Sequence, residues 1–144
     1  MSRFVVDASV AAKWFTPEEW SGRAVSLQSD FYELIAPDLL WIELANVFAT
    51  HVRAGRLPSE TAAELVAALP AMPVDVRPTG ALLTQTLEVA MAFERSIYDA
   101  MYVALAIREE CPLVTADRRL YNALGDSLPG RLAWIGDLPE AEEA

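Results

Sequence analysis

Asp7 closes the short β-branched run Phe4-Val5-Val6, and Asp117 lies just past a second such run, Leu113-Val114-Thr115. Runs of this kind read as buried strands, so both aspartates are expected to project from the carboxyl edge of a sheet. Each also has a plainer role, because an aspartate between strand and helix is a good N-cap. So does Asp99: Ser96-Ile97-Tyr98-Asp99 has the spacing of a capping box, and a carboxylate in a helix's first turn suits the macrodipole. Glu43 is different. It sits in the middle of Leu39-Leu40-Trp41-Ile42-Glu43-Leu44-Ala45-Asn46-Val47-Phe48, a helical stretch apolar around most of its circumference. Such a helix is expected to be buried on most sides, where no cap is needed and a glutamate is rare unless paired. Asn46 shares its face and is placed to bond it or a common ligand; the alternative is a salt bridge to a distant arginine.

Were the four carboxylates to share one pocket, each pair at about 4 Å would repel by roughly 4 kcal/mol at an effective dielectric near 20. Either several stay protonated or a cation neutralises them. Oxygen-only ligands select a hard ion such as Mg²⁺ or Mn²⁺ over zinc. Two hydroxyls stand close in sequence: Ser9 two residues after Asp7, and Thr115 two residues before Asp117 on the same strand face if the strand persists. They could orient a bound water or hold a carboxylate, or simply make local turn bonds. The single histidine, His51, lies near a helix end beside Arg53 and before Gly55, where it suits the helix dipole better than a metal.

These side chains need elements to carry them. Strands are expected at Phe4–Asp7, Leu34–Ala36 (closed by Pro37), Val74–Val76, Pro112–Thr115 and Leu132–Ile135. Helices are expected at Ser9–Phe15, from Pro17 to about Gln28, at Asp38–Ala54, from Pro58 to before Pro70, and at Thr79–Phe93, Ile97–Glu110 and Asp117–Leu124. Strands separated by helices imply βαβ units, an α/β fold with a parallel sheet covered on both faces. In such sheets ligands lie beyond the carboxyl ends of the strands, near the topological switch point.

The chain's 144 residues suit one domain, assigned to 1–138, with an acidic tail at 139–144. Charged residues make up 22% and apolar ones 53%, the balance of a globular protein. The one cysteine, Cys111, excludes an intrachain disulfide and a multi-cysteine zinc site. No apolar run is long enough to span a bilayer and the start lacks a signal peptide's architecture, so a cytoplasmic protein is expected. The net charge of −10 argues against a broad basic surface for nucleic acid.

Four motifs together resemble the PIN-domain family, and more narrowly the VapC-type toxin ribonucleases: Val5-Val6-Asp7-Ala8-Ser9, Glu43-Leu44-Ala45-Asn46, Ser96-Ile97-Tyr98-Asp99-Ala100 and Leu113-Val114-Thr115-Ala116-Asp117-Arg118-Arg119-Leu120. The resemblance runs from the first strand to the last. It implies a three-layer α/β/α sandwich, and an acidic cluster of Asp7, Glu43, Asp99 and Asp117 binding Mg²⁺ or Mn²⁺, with Thr115 as the hydroxyl beside the last acid. It further implies an RNA substrate, a cognate antitoxin and a homodimer.

On that footing the expected chemistry is hydrolysis of RNA phosphodiester bonds by metal-activated water. Lys13, Arg95, Arg118 and Arg119 flank the acidic motifs and are candidate phosphate contacts; the alternative for each is solvated surface charge. Trp14, Phe15, Trp20, Phe31 and Tyr32 crowd the first quarter of the chain. They are core, or, where exposed, a groove for an apolar partner helix. Two rivals remain. A receiver-type phosphoacceptor would want an acidic pair after the first strand and a lysine after the last, but only one acid stands there and Lys13 is the only lysine. A non-catalytic interaction module would use the acids merely as caps.

Overall fold

The computed structural model describes residues 2–139; the acidic end expected as a tail lies outside the described residues from 140 onward. Five strands form one parallel sheet in the order β3-β2-β1-β4-β5. They are β1 Ser2–Val6, β2 Tyr32–Pro37, β3 Asp75–Arg77, β4 Leu113–Thr115 and β5 Leu132–Trp134. The helices are α1 Ala8–Ala11, α2 Ser21–Ser26, α3 Leu39–Arg53, α4 Ser59–Ala68, α5 Leu83–Phe93, α6 Ile97–Arg108 and α7 Arg118–Leu124.

Central strands of a sheet covered on both faces have no polar side to show, hence the unbroken apolar runs. Val5, Val6, Leu113 and Val114 are all fully buried. With right-handed crossovers, the connections from β1 to β3 travel one way along the sheet and those from β3 to β5 the other. That puts α1–α4 on one face and α5–α7 on the opposite one, the expected α/β/α sandwich. It also puts the switch point between β1 and β4, where Val5 pairs with Leu113 and Val6 with Val114. The next residues along those strands are Asp7 and Thr115.

Several boundaries differ from expectation. The helix expected from Pro17 starts only at Ser21, because Trp20 has a left-handed backbone (φ 69°) that a right-handed helix cannot continue through. Ser21 Oγ accepts from the Glu18 N–H at 2.8 Å, closing a turn instead. Strand β2 extends to Pro37 rather than stopping before it. The proline's missing donor costs nothing there, since the Asp38 N–H takes the Arg77 carbonyl at 2.9 Å. The helix expected from Thr79 opens as a 3₁₀ turn, Thr79–Leu82, before α5 begins, and Ile135 belongs to a closing 3₁₀ turn rather than to β5.

Helix α3 departs most from its reading. It buries Leu39, Leu40, Leu44 and Phe48 but leaves Ile42 69% exposed, so it is a surface helix with apolar residues on both sides. Gly55, at φ 75°, follows it in the conformation expected of a helix stop. Of the five early aromatics, four pack on the core, Phe15 edge-to-face against Phe48 at 5.1 Å. Phe31 alone stands out, at 80% exposed. No helix among the described residues is long and apolar enough to cross a membrane.

Candidate active site

Asp7, Glu43, Asp99 and Asp117 all line one cavity of about 140 Å³, together with Ser9 and Tyr102. Four parts of the chain meet there. Asp7 leaves β1, Glu43 comes from the middle of α3, Asp99 from the first turn of α6, and Asp117 follows β4. The plainer roles are realised at the same time. Asp7 caps α1, Asp117 caps α7 with one oxygen accepting from Arg119 and Leu120, and Ser96 caps α6 by accepting from the Asp99 N–H. Capping and clustering do not compete here, because a helix start at the carboxyl edge of the sheet puts its cap residue on the cavity wall.

Asp7 is the most tightly held. Its Oδ1 accepts from Ser9 Oγ at 2.6 Å and from the Val10 N–H at 3.2 Å; its Oδ2 accepts from Thr115 Oγ1 at 2.6 Å. Each hydroxyl has a single proton, and each is oriented by a backbone donor behind it. Ala116 N–H donates to Ser9 Oγ at 2.9 Å, and Asp117 N–H donates to Thr115 Oγ1 at 3.0 Å. The turn after β4 thus fixes both hydroxyls so that their protons point at Asp7. Burial nonetheless wins. The carboxyl is pushed up to about 6, with loss of water the largest cause, partly offset by Ser9, Thr115 and Val10 and reinforced by Asp117.

Glu43 is also pushed upward, first by burial and then by Asp99, against the lowering effect of its hydrogen bond. That bond comes from Tyr102, whose hydroxyl donates to Oε1 at 2.6 Å. The expected partner, Asn46, is exposed one turn along α3 and lines a neighbouring cavity. Tyr102 is the functional-site residue that sequence reasoning missed. It lies three residues after Asp99 on α6 and so on the same face, a signal available in the spacing. Burial and the carboxylates Glu43, Asp7 and Asp99 push its own ionisation far up, so it is a permanent neutral donor. A Tyr102→Phe variant is expected to raise the Glu43 pKa further, because it removes the bond that favours the charged form. Carboxyl-carbon NMR titration of Glu43 reads this directly, and an unchanged or lower midpoint would contradict it.

Three of the four flanking cations are already engaged. Arg95 Nη2 donates to Asp99 Oδ2 at 3.1 Å, placing one positive charge on the cluster. Lys13 pairs with Glu18 at 3.2 Å, with its side chain only 10% exposed. Arg118 stacks on the Trp134 ring at 3.9 Å. Arg119 is exposed, and His51 sits in the last turn of α3, the position that suits the helix dipole.

Among the described residues, no three acidic, histidine or cysteine side chains stand close enough to clasp one ion directly. The donors are nevertheless all oxygen. Such a set fits a hard divalent cation that keeps part of its water shell and takes one or two carboxylates.

A family model described as the PIN domain matches residues 4–124. The chain is 34% identical over 120 residues to Ribonuclease VapC3 of Pyrobaculum aerophilum, covering 82% of this chain and 92% of that one. Among solved structures, PAE2754 of Pyrobaculum aerophilum aligns with a TM-score of 0.63 at 24% identity, over 94% of this chain and 85% of its own. VapC20 of Mycobacterium tuberculosis, described as a toxin cleaving the sarcin-ricin loop, aligns at 0.63 and 21% identity, over 83% of this chain and 94% of its own. A toxin–antitoxin complex from Klebsiella pneumoniae aligns at 0.62 and 10% identity, over 92% and 97% of the two chains. At those identities the structures speak for the fold. The family match and the curated relative carry the assignment: the chain belongs to the PIN-domain family, in its VapC ribonuclease branch.

Proposed function

We propose that this chain is a divalent-metal-dependent endoribonuclease, the toxin of a type II toxin–antitoxin pair, with residues 1–138 as its single nuclease domain. The observation that carries the reading is the convergence of four carboxylates on one cavity at the switch point of the sheet. Among the described residues, the guanidinium of Arg95 is bonded to this cluster, at Asp99. Capping accounts for Asp7 and Asp117 on the cavity wall, but Glu43 caps nothing and the cap of α6 is Ser96, not Asp99.

Asp7 is the anchor of the site, with its two oxygens aimed by Ser9, Thr115 and Val10. Glu43, held by Tyr102, faces it across the cavity from α3, while Asp99 and Asp117 complete the acidic wall. A divalent cation, Mg²⁺ or Mn²⁺, would be held by Asp7, Asp99, Asp117 and Glu43, in part through water, and supplies charge neutralisation and activation of the attacking water. Arg95, bonded to Asp99, is the candidate to contact a phosphate once that carboxylate has another partner. Arg118 and Arg119 at the start of α7 extend a small basic rim. Because water is the attacking group, the RNA 2′ hydroxyl takes no part, and the products carry 5′ phosphates and 3′ hydroxyls.

The same reading assigns a cytoplasmic location, an antitoxin partner and a homodimer. The homodimer is supported by Leu83, Leu87 and Met91, which form an exposed apolar stripe along α5.

The test is cleavage of a structured RNA mixture by purified protein with Mg²⁺ or Mn²⁺, with and without chelator. Cleavage that needs the metal and leaves 5′ phosphates is expected. Ends bearing a 2′,3′-cyclic phosphate would overturn the water mechanism, and chelator-resistant cleavage would overturn the metal.

A further inference from the structure

Beside the carboxylate cavity lies a wider one of about 410 Å³, and the two share Ala8 and Glu43 as a common wall. Ile42, Asn46 and Val47 from α3 and Tyr98 from α6 help to line it. Ile42 is 69% exposed and Tyr98 61%, so a branched aliphatic side chain and an aromatic ring are left in water at the mouth of a polar site. Neither holds the core together. Tyr98 immediately precedes Asp99, so whatever meets its ring is next to whatever meets the acidic cluster.

The chemistry of the walls selects an occupant. None of the lining residues is cationic, and Glu43 is acidic. A phosphate group would find no cation there and would be repelled by Glu43. An uncharged planar base finds an aromatic face for stacking, aliphatic contacts from Ile42 and Val47, and the Asn46 amide, which offers both donor and acceptor to a base edge. The volume lies in the range of small-molecule sites. Continuity with the carboxylate cavity supplies the rest, since a nucleotide chain with its phosphate at the acids puts a neighbouring base over the shared wall.

We propose that this cavity is a nucleobase subsite: it receives an unpaired RNA base next to the scissile phosphate, stacked on Tyr98 and read along its edge by Asn46. The inference rests on the ribonuclease reading above and deepens it.

The test compares wild type with Tyr98→Ala, Tyr98→Phe and Asn46→Ala on a single-stranded RNA pool of random sequence in Mn²⁺. Mn²⁺ affinity is measured alongside by calorimetry without RNA. Tyr98→Ala is expected to raise KM by about tenfold or more, the size of one lost base stack, with Mn²⁺ affinity unchanged. Tyr98→Phe, which restores the ring, should bring KM back to within about threefold of wild type. Asn46→Ala should alter the base preference at the cut sites. A wild-type KM in Tyr98→Ala, or Phe as damaging as Ala, overturns the subsite. So does loss of antitoxin binding in Tyr98→Ala with RNA cleavage untouched, which would make the cavity a protein-docking surface. If wild type itself leaves the pool intact, the ribonuclease reading fails and takes the subsite with it.

Discussion

Asp7→Asn is expected to lower the rate of metal-dependent RNA cleavage on the order of a thousandfold, about 4 kcal/mol of barrier, while leaving the fold in place. The two halves of that expectation have separate causes. Asparagine has the same shape but one acceptor oxygen and no charge, so a cation at the carboxylate cavity loses its best-ordered ligand. The fold survives because the surrounding bonds can rearrange. The amide oxygen can still accept from Ser9 and Val10. Thr115, facing an NH₂ group instead of an oxygen, can turn its proton to Ser9 Oγ, already 3.3 Å away. Rates on one RNA substrate, measured with thermal melting of both proteins, check this. A variant keeping more than about a tenth of the wild-type rate would remove Asp7 from the chemistry. Unfolding of the variant would mean that the buried network has no such slack. The identically prepared variant also exposes any contaminating ribonuclease, which would cleave equally in both samples.

In chelator, wild-type stability should fall as pH rises through about 6, and a divalent cation should reverse the fall. Asp7 has a folded-state pKa of about 6 against an ordinary value of 3.8. Between those values the folded protein binds more protons than the unfolded chain, so its stability has a negative slope with pH. The contribution is fully present below the ordinary value and lost above about 6. The gap of about two pH units corresponds to about 3 kcal/mol. Glu43 is shifted upward as well and acts in the same sense. A cation that binds only the folded, ionised site adds about 2.7 kcal/mol at 100 times its Kd, and it does so most above pH 6. Urea unfolding at pH 5 and pH 8, in chelator and in Mn²⁺, is the measurement. Asp7→Asn isolates the residue, because its amide does not titrate and much of the pH slope should vanish. Parallel curves for the two proteins would show that Asp7 is charged at no cost in the fold.

The functional pattern was legible wherever it was local. Asp7 and Asp117 announce themselves as carboxylates after buried strands, and the Ser96 cap follows from spacing along one helix. Glu43 stands out in the sequence because a glutamate in an apolar helix contradicts its surroundings, and such contradictions mark sites. Trp20 shows where local pattern failed. A tryptophan carries no sign that it will take a left-handed turn, so the helix expected from Pro17 starts late.

By itself, then, the sequence determined the alternation of strands and helices, the four acids and the caps, because each depends on neighbours a few residues away. Only the tertiary structure decided that the acids meet, since Asp7 and Thr115 come together through strand pairing between β1 and β4, with hydroxyl and carboxylate 108 residues apart in the chain. It decided that Glu43 is held by Tyr102, 59 residues away, and not by Asn46 on its own helix. It also decided that one flank of α3 faces solvent, leaving Ile42 exposed, and that Tyr98 at the start of α6 is exposed as well. Periodicity reports which faces of a helix are apolar. Which of those faces the rest of the chain covers depends on where the sheet and the other helices lie, and that is a property of packing.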